Sequence, residues 1–296
     1  MINIKEIKEY LLKENIIFSY YGDDNLAIDG FSSLNNYKRN TITWCKNENA
    51  ITNELGEGSL VVTKDDIINV FPNSIHVKDP KKVFFMILEA FWGDKNSGSH
   101  IGKNSYISDK VKLGSNVRIG HNCVLDGEIT IGDNTTIYNN VSIINKVKIG
   151  QNCIIQSGTI IGHDDFSYVE DEKNVKTMIK HYGGVEIYDD VFIGANCMIN
   201  RGTLDSTLIG KGTKIDANCH ISHNCIVKEN CAFVSGTRLY GSAQIGKNVY
   251  IASATIKNQL KVGDNTIIGM GSIVLNDIED NVTVAGVPAK IIKYNK

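Results

Sequence analysis

An aliphatic residue occupies every sixth position through the middle of the chain, from Ile101 to Ile161 without a gap. The residue directly after it is often glycine, and the position four residues after it is small or β-branched in most repeats. This period is typical of a hexapeptide β-helix, in which three short strands and their turns form one triangular coil. A Gly or Asn at each corner supplies the positive φ that the turn needs. We therefore predict about ten stacked coils of parallel strands, spaced by ~4.8 Å. The inward positions of the first stretch are Ile101, Ile107, Leu113, Ile119, Leu125, Ile131, Ile137, Ile143, Ile149, Ile155 and Ile161.

Two interruptions break the six-residue register. Residues 163–184 are rich in charge and have no period, so we expect them to form a loop that leaves the coil. The register returns at Ile187, slips by four residues through RGTLDST and then continues from Ile209. Insertions in a solenoid map to one face, which is often the binding face. The two interruptions are therefore the first places to expect a ligand.

The first hundred residues follow a different pattern. Apolar residues at helical spacing predict an amphipathic helix within residues 1–20, and KKVFFMILEAFW predicts a second one. The segments TITWCKN, SLVVTKDD and SIHVKDP predict strands between polar turns. We predict a mainly β protein with a small N-terminal α/β domain (residues 1–97) and a β-helix domain (residues 98–296). The second domain includes the loop 163–184 and a short C-terminal tail.

Composition excludes several classes of function. The chain has 31 Lys and Arg against 33 Asp and Glu, so no basic field favours nucleic acid as a partner. No apolar stretch approaches the ~20 residues of a membrane span, and the N-terminus lacks the apolar core of a signal peptide. We therefore expect a cytoplasmic protein with cysteines as thiols. Six of the seven cysteines fall on the small position of the repeat, where they fill the core. These are Cys123, Cys153, Cys197, Cys219, Cys225 and Cys231.

Several segments carry a resemblance to a known family. ITWCKN, NCIIQSGTIIGHDDFSY and INRGTLDSTLIGKGTKIDANCHISHNCIV resemble the UDP-3-O-acylglucosamine N-acyltransferases of the lipid A pathway. The RGTLDST slip followed by ISHN is the most specific part, and the resemblance extends over most of the chain. It implies a left-handed β-helix, a nucleotide-binding N-terminal domain, a homotrimer with active sites between subunits, and an acyl carrier protein as the acyl donor.

The resemblance also implies roles for individual residues. His223 matches the family's general base, and Gly241 matches a glycine whose backbone N–H faces the tetrahedral oxyanion. Trp44 matches the aromatic residue that stacks on uracil, and Asn47 matches the neighbouring asparagine. The family's second stacking aromatic falls at about Ala50, so that contact is missing. A second functional histidine of the family falls in IKNQLKV, where this chain has none.

The residue types suit acyl transfer to an amine. The amine must be neutral to attack, which requires a base with a pKa near 7, and histidine meets that need. Asp205 or Asp216 could orient the imidazole through its other nitrogen, and the sequence does not choose between them. Arg201 is a candidate to hold a phosphate or a neighbouring subunit's acid. Phe166 and Tyr168, on the loop, are candidates to cover the pantetheine arm of the donor.

The C-terminal segment points to a different donor. VAGVPAKII resembles the ending of hexapeptide acetyltransferases that use acyl-CoA, in which this turn lies along the cofactor. The resemblance assigns Gly286 to that turn and Lys290 to the phosphates. We therefore favour an N-acyltransferase that moves an acyl group from acyl-CoA to the amine of a nucleotide-linked amino sugar, for surface polysaccharide synthesis. It would hold no permanent cofactor. The lipid A enzyme with its acyl carrier protein donor is the alternative.

Two other classes fit the sequence less well. A trimeric left-handed β-helix can hold zinc between subunits, as γ-type carbonic anhydrases do, and this resembles an H-x4-H spacing. Here the pair is His220-x2-His223, so we predict no metal site. A non-catalytic scaffold is the other possibility, and both the loop insertion and the nucleotide-binding resemblance argue against it.

Overall fold

The structure is a computed structural model that describes residues 1–47, 58–67, 71–93 and 98–295. The chain is divided into two compact units, residues 1–96 and residues 97–296. Ala50, where the family's second aromatic would fall, lies outside the described residues. None of the described helices is long and apolar enough to cross a membrane.

Among its described residues, the N-terminal unit contains two helices, at Ile4–Lys13 and Pro80–Trp92, and a 3₁₀ turn at Leu34–Asn36. Asn3 begins the first helix by accepting a hydrogen bond from the Lys5 N–H, and the Glu6 carboxylate accepts one from the Asn3 N–H. This reciprocal capping box satisfies two backbone donors that the first turn leaves open.

Five strands form the sheet of the N-terminal unit, and its three central members are those that the sequence predicts. The apolar faces of both helices and the sheet share one core. Ile2–Asn3 and Ala27–Ile28 form a separate antiparallel pair. In sheet order, the five strands are Ser19–Tyr21, Ser74–His76, Leu60–Thr63, Thr41–Trp44 and Gly30–Phe31.

The second unit is a parallel β-helix with three flat sides. Strands of successive coils pair in register on each side. Side 1 consists of His100–Ile101, Arg118–Ile119, Thr136–Ile137, Ile154–Ile155, Phe192–Ile193, Lys214–Ile215, Ala232–Phe233, Tyr250–Ile251, Ile267–Ile268 and Val282–Ala285. Side 2 consists of Tyr106–Ile107, the first halves of Val124–Ile131 and Ser142–Ile149, Ile160–Ile161, Met198–Ile199, His220–Ile221, Arg238–Leu239, Thr255–Ile256 and Ile273–Val274. Side 3 consists of Lys112–Leu113, the second halves of the same two long strands, Val185–Ile187, Thr207–Ile209, Ile226–Val227, Gln244–Ile245 and Lys261–Val262.

The second residue of nearly every two-residue strand points into the core. From Ile119 to Val274 these inward residues are at most 3% exposed. Ile101 and Leu113 in the first coil are exposed instead, because that coil has a neighbouring coil on one side only. The cysteines predicted to fill the core are buried, and burial raises the pKa of the Cys225 thiol to about 12.

The corners depend on asparagine more than the sequence suggested. Asn122 and Asn134 have φ of 56° and 58°, and further asparagines with positive φ recur along the corners. The glycine that follows an inward residue serves another purpose. A Cβ on Gly120 would lie 2.7 Å from the Asn139 backbone nitrogen of the next coil. Glycine at that position therefore lets successive coils approach closely, and asparagine supplies the positive φ.

All connections from side 2 to side 3 stack along one edge of the prism. Two of them are longer than the regular turn, and two more follow these in the stack. We call these four connections the interrupted corner: residues 162–184, 200–206, 222–225 and 240–243. The first carries an antiparallel hairpin of Tyr168–Glu170 and Lys176–Met178. Both interruptions thus lie on one edge, next to His223 and Gly241. A third irregularity, the five-residue spacing from Ile251 to Ile256, lies at the corner between sides 1 and 2.

Candidate active site

The imidazole of His223 is half-buried in the interrupted corner, where its Nδ1 lies 3.0 Å from Asn224 Oδ1. The Thr203 N–H also donates to this Asn224 atom, at 3.1 Å. Since a backbone N–H can only donate, the shared atom is the amide oxygen, and the His223 nitrogen facing it must carry the proton. The neutral ring therefore has its lone pair on Nε2, which is the arrangement a general base requires.

Neither acid that the sequence offered as an orienting partner contacts this ring among the described residues. Asp216 follows a strand of side 1, and its carboxylate accepts from the Ala217 and Ser235 N–H groups. Asp205 contributes its backbone carbonyl, which accepts from Asn224 Nδ2. The orienting group is the adjacent amide of Asn224, because that residue turns the corner with φ of 58° and presents its side chain to the ring.

Gly241 lies one coil beyond His223 at the same corner. A Cβ at Gly241 would lie 2.4 Å from His223 Nε2 and 2.6 Å from its Cε1, so any side chain would displace the ring. Within the described residues, the Gly241 N–H has no hydrogen-bond acceptor. The structure thus brings together the two residues predicted as base and oxyanion donor, and the donor is free to bind a ligand oxygen.

Asp165, from the insertion 163–184, is a third component of the corner. Its carboxylate accepts from the backbone N–H of His223 at 2.8 Å and from that of Phe166 at 2.8 Å. Burial opposes its ionisation, yet these two hydrogen bonds and others from the side chains of Asn200 and Ser222 lower the pKa of Asp165. The group is therefore a buried carboxylate, with the residue 9% exposed.

The far end of the same insertion contributes His181. Its ring is fully buried and packs edge-on against His223, with ring centroids 5.6 Å apart. Its Nδ1 lies 3.1 Å from the Ile179 carbonyl, and its Nε2 has no hydrogen-bond partner among the described residues. The insertion therefore covers one side of the His223 ring.

Arg201 is buried, at 7% exposure, and is engaged within its own chain. Its Nε donates to the Gly183 carbonyl at 2.8 Å, and its guanidinium lies 3.8 Å from the Asp164 carboxylate. These contacts join the two ends of the insertion. A contact of Arg201 with a phosphate, or with an acid of a neighbouring subunit, stays a prediction.

Phe166 and Tyr168 lie at the entrance to the insertion. Their rings meet edge to face at 5.5 Å, and Phe166 is 73% exposed. Phe166 directly follows Asp165, whose carboxylate contacts the His223 backbone. A role of the two rings in covering the donor stays a prediction.

Trp44 and Asn47 lie in the N-terminal unit, where both line a cavity of about 550 Å³. Trp44 ends a central strand of the sheet and is half-buried. Phe31 and Phe85 also line the cavity, and each is 53% exposed. The cavity therefore has several aromatic side chains along its lining.

Gly286 and Lys290 lie in the C-terminal hairpin, beyond the last coil of the interrupted corner. Gly286 has φ of 101° and connects the strands Val282–Ala285 and Lys290–Tyr294. The exposed Lys290 pairs with Ala285 across this hairpin. The structure does not bring these two residues into the cluster around His223.

Asp165, Asn224 and His181 were not predicted as site residues. Asn224 carried a usable signal, because corner asparagines recur at regular spacing and it directly follows the candidate base. The other two come from a segment without a period, so nothing in the sequence indicates which of its residues contact His223. Among the described residues, no group of three or more His, Cys, Asp or Glu side chains is arranged to hold a metal ion.

Comparison with protein families supports the repeat assignment. The family "Bacterial transferase hexapeptide (six repeats)" matches residues 128–163 and 206–241, and "Hexapeptide repeat of succinyl-transferase" matches residues 110–145. The first pair of matches ends at the insertion and resumes within the register slip. The stretch between the two matches therefore contains the insertion and most of the register slip.

Among solved structures, the UDP-N-acetylglucosamine O-acyltransferase of Moraxella catarrhalis is 25% identical with a TM-score of 0.58 and covers 65% of this chain and 74% of its own. The corresponding enzyme of Bacteroides fragilis is 26% identical with a TM-score of 0.58, over 64% and 72% of the two chains. The fold and these matches define a hexapeptide-repeat acyltransferase with a left-handed parallel β-helix, which confirms the fold class predicted from the sequence.

Relatives of nearly full length narrow the assignment. UDP-3-O-acylglucosamine N-acyltransferase of Campylobacter lari is 31% identical over 309 aligned positions, covering 99% of this chain and 94% of its own. The enzyme of the same name from Campylobacter concisus is 34% identical over 95% of this chain and 92% of its own. The chain belongs to the UDP-3-O-acylglucosamine N-acyltransferase family.

Proposed function

We propose that the protein transfers an acyl group from a thioester donor to the free amine of a UDP-linked, 3-O-acylated glucosamine. The observation that carries this proposal is the pairing at the interrupted corner of a correctly protonated imidazole with a free amide donor. His223 has its lone pair on Nε2, and the Gly241 backbone lies directly against that nitrogen. The family relationship supports this lipid A reaction more than the acyl-CoA-dependent reaction favoured from the C-terminal segment.

The reaction uses both groups in sequence. His223 Nε2 takes a proton from the attacking amine as the C–N bond forms, and the Gly241 N–H stabilises the oxyanion of the tetrahedral intermediate. The intermediate collapses by breaking the C–S bond, and the imidazolium returns its proton to the leaving thiolate. No net proton is gained or lost by the protein, and one amide replaces one thioester.

The cavity at Trp44 supports binding of the substrate through its nucleotide. An indole on one wall and Asn47 on another offer stacking and hydrogen bonding to a uracil ring. We expect Trp44→Ala to raise KM for the UDP-sugar about 5- to 100-fold, since base stacking contributes about 1–3 kcal/mol. KM for the acyl donor and kcat should change little. An unchanged KM for the UDP-sugar in a folded variant would assign Trp44 to the core of the unit alone.

The C-terminal hairpin favours acyl-CoA as an alternative acyl donor to acyl carrier protein. Its turn at Gly286 and the exposed Lys290 provide a backbone bend and a cation suited to the phosphates of acyl-CoA. The test offers acetyl-CoA, 3-hydroxyacyl-CoA and long-chain acyl carrier protein against UDP-3-O-acylglucosamine and dTDP-linked amino sugars, with product analysis by mass spectrometry. N-acylated UDP-sugar formed a hundredfold faster from acyl carrier protein supports the lipid A reaction. Preference for acyl-CoA supports the alternative, and no amide product from any pair contradicts both.

The family resemblance also includes a homotrimer. Outward apolar residues on side 1 support it, because Ile154, Tyr250 and Ile267 occupy the same position in their coils and remain about two-fifths exposed in one chain. Three prisms packed side by side would cover such flat surfaces. Sedimentation equilibrium at micromolar concentration tests this, and a monomer there would contradict both the trimer and an active site between subunits.

A further inference from the structure

The backbone N–H groups two residues after an inward aliphatic share a recurring hydrogen bond in this β-helix. In several regular coils, the N–H is capped by a side-chain oxygen of the residue at the same position in the next coil. Ser115 donates to Asp133 at 2.7 Å, and Lys247 donates to Asp264 at 2.8 Å. The equivalent bonds from His121 to Asn139 and from Gln151 to Asp189 are 2.7 and 3.0 Å long.

His223 occupies this position, and its next coil has no side chain with which to form the cap. The equivalent residue is Gly241, where a Cβ would lie 2.4 Å from the His223 ring. A carboxylate there would cap the backbone but displace the imidazole from its place. The site therefore needs glycine in the next coil and a cap from another direction.

Asp165 provides that cap from the insertion, 58 residues earlier in the chain, at 2.8 Å. The turn 200–206 lies between the coil of Asp165 and that of His223, and Asn200 donates its side chain to the same carboxylate. With Phe166 and Ser222 as further donors, the carboxylate is held from several sides in a buried position. Its position is therefore fixed by the fold and does not depend on a flexible surface contact.

We infer that Asp165 is the positioning residue for the base: it fixes the His223 backbone so that Nε2 faces the place above Gly241 where the amine reacts. This inference rests on the proposed function. Asp165 touches no reacting atom in this account and acts only through His223. Loss of the cap lets the turn 222–225 shift, and a displacement of about 1 Å from the reacting geometry costs on the order of 10² in rate.

The experiment measures kcat and KM of Asp165→Ala and Asp165→Asn with UDP-3-O-acylglucosamine and the acyl thioester that the donor screen selects. We expect Asp165→Ala to lower kcat about 10- to 100-fold with KM for the UDP-sugar within about threefold. Asp165→Asn keeps one oxygen for the His223 N–H, but its NH2 group cannot accept from the Phe166 N–H, so it should recover part of that loss. Asp133→Ala removes the matched cap of Ser115 in a coil far from the corner, and its kcat should equal that of the wild type.

A double-mutant cycle separates positioning from an independent effect. If Asp165 acts through the base, Asp165→Ala should cause less than about a twofold further loss of kcat in the His223→Ala background. An equal loss in both backgrounds, or full kcat in Asp165→Ala, would overturn the inference. Asp165→Glu provides a second arm if the alanine variant does not fold, because an added methylene moves the carboxylate and should also lower kcat, whereas wild-type kcat would overturn the inference. Failure of the proposed function is distinct, since it appears as unchanged kcat in His223→Ala itself.

Discussion

Two corners of the same β-helix differ in how completely their polar groups are satisfied. The corner between sides 3 and 1, which we call the regular corner, repeats one turn with asparagine or a close equivalent at positive φ. Its amides bond from coil to coil, as from Asn116 to Asn134 at 3.1 Å and from Asn152 to Asp190 at 3.1 Å. Among the described residues of the β-helix, the buried side-chain atoms without a hydrogen-bond partner both lie at the interrupted corner. They are His181 Nε2 and Asn200 Oδ1, and the Gly241 N–H nearby also has no acceptor among the described residues.

The difference shows where this fold can perform chemistry. A coil whose donors and acceptors are all matched by its neighbours presents nothing that a reacting group needs, and it contributes stability through the stacked core. Free polar groups in a partly buried place are costly to the fold unless a ligand uses them. Their concentration beside His223 supports our proposal that the interrupted corner is the reactive edge, and the regular corner provides an internal control.

Removal of the proposed base at the interrupted corner should have the largest effect on activity. His223→Ala deletes the only proposed proton acceptor, so we expect kcat to fall 10²- to 10⁴-fold. His220→Ala is the control, because that ring lies 3.2 Å from the Ser222 hydroxyl and 3.4 Å from Asn200 and does not pack on Gly241. Its kcat should fall far less. Steady-state kinetics with a demonstrated rate-limiting chemical step would contradict the assignment if His223→Ala kept more than about a third of wild-type kcat.

A methyl group at Gly241 should produce the next largest effect. The built Cβ would meet the imidazole at 2.4 Å, so Gly241→Ala must push the ring from its place and lower kcat by on the order of 10². Gly236→Ala is the contrasting variant, since nothing lies within 4 Å of its Cβ but its φ is 78°. Backbone strain should lower its melting temperature while kcat stays near that of the wild type. Loss of kcat in Gly236→Ala without loss in Gly241→Ala would reverse the proposed roles.

The sequence predicts the β-helix well because its period is a direct image of the coil. Each inward aliphatic marks a strand. The two long interruptions of the spacing, after Ile161 and after Ile199, are the insertion and the slip that the structure shows on one edge. The role of the glycines was less visible. Gly120 and its equivalents could serve either positive φ or close approach, and only the coordinates of the next coil distinguish the two.

The site was predicted in part, and the missing part has a physical reason. His223 and Gly241 lie 18 residues apart, one coil of the repeat, so their proximity follows once the resemblance identifies either of them. Asp165 reaches His223 over 58 residues from a segment with no period. The sequence placed two acids nearer to the histidine in the chain, and neither contacts its ring. In a solenoid, the repeat spacing predicts which residues of successive coils are neighbours. The spacing does not predict the contacts of an insertion, because an insertion does not follow the repeat.

The smallest expected effect sharpens the comparison from the regular corner. Asn134 has φ of 58°, accepts from Asn116 Nδ2 at 3.1 Å and donates to Asn152 Oδ1 at 3.4 Å. Alanine there loses both bonds and adopts positive φ at a cost, so Asn134→Ala should lower the free energy of unfolding by about 1–2 kcal/mol. Asn134→Gly keeps the favourable φ and should lose less than the alanine variant.

Urea denaturation at fixed protein concentration measures both variants of Asn134, and kcat is recorded on the same samples. Neither should change kcat, because the regular corner lies on a different edge of the prism from His223. A fall in kcat of more than about threefold in a fully folded Asn134 variant would mean that the two corners are coupled. Activity at the interrupted corner would then depend on the conformation of the regular corner. The contrast between the two corners would in that case apply to their hydrogen bonds and not to their roles in catalysis.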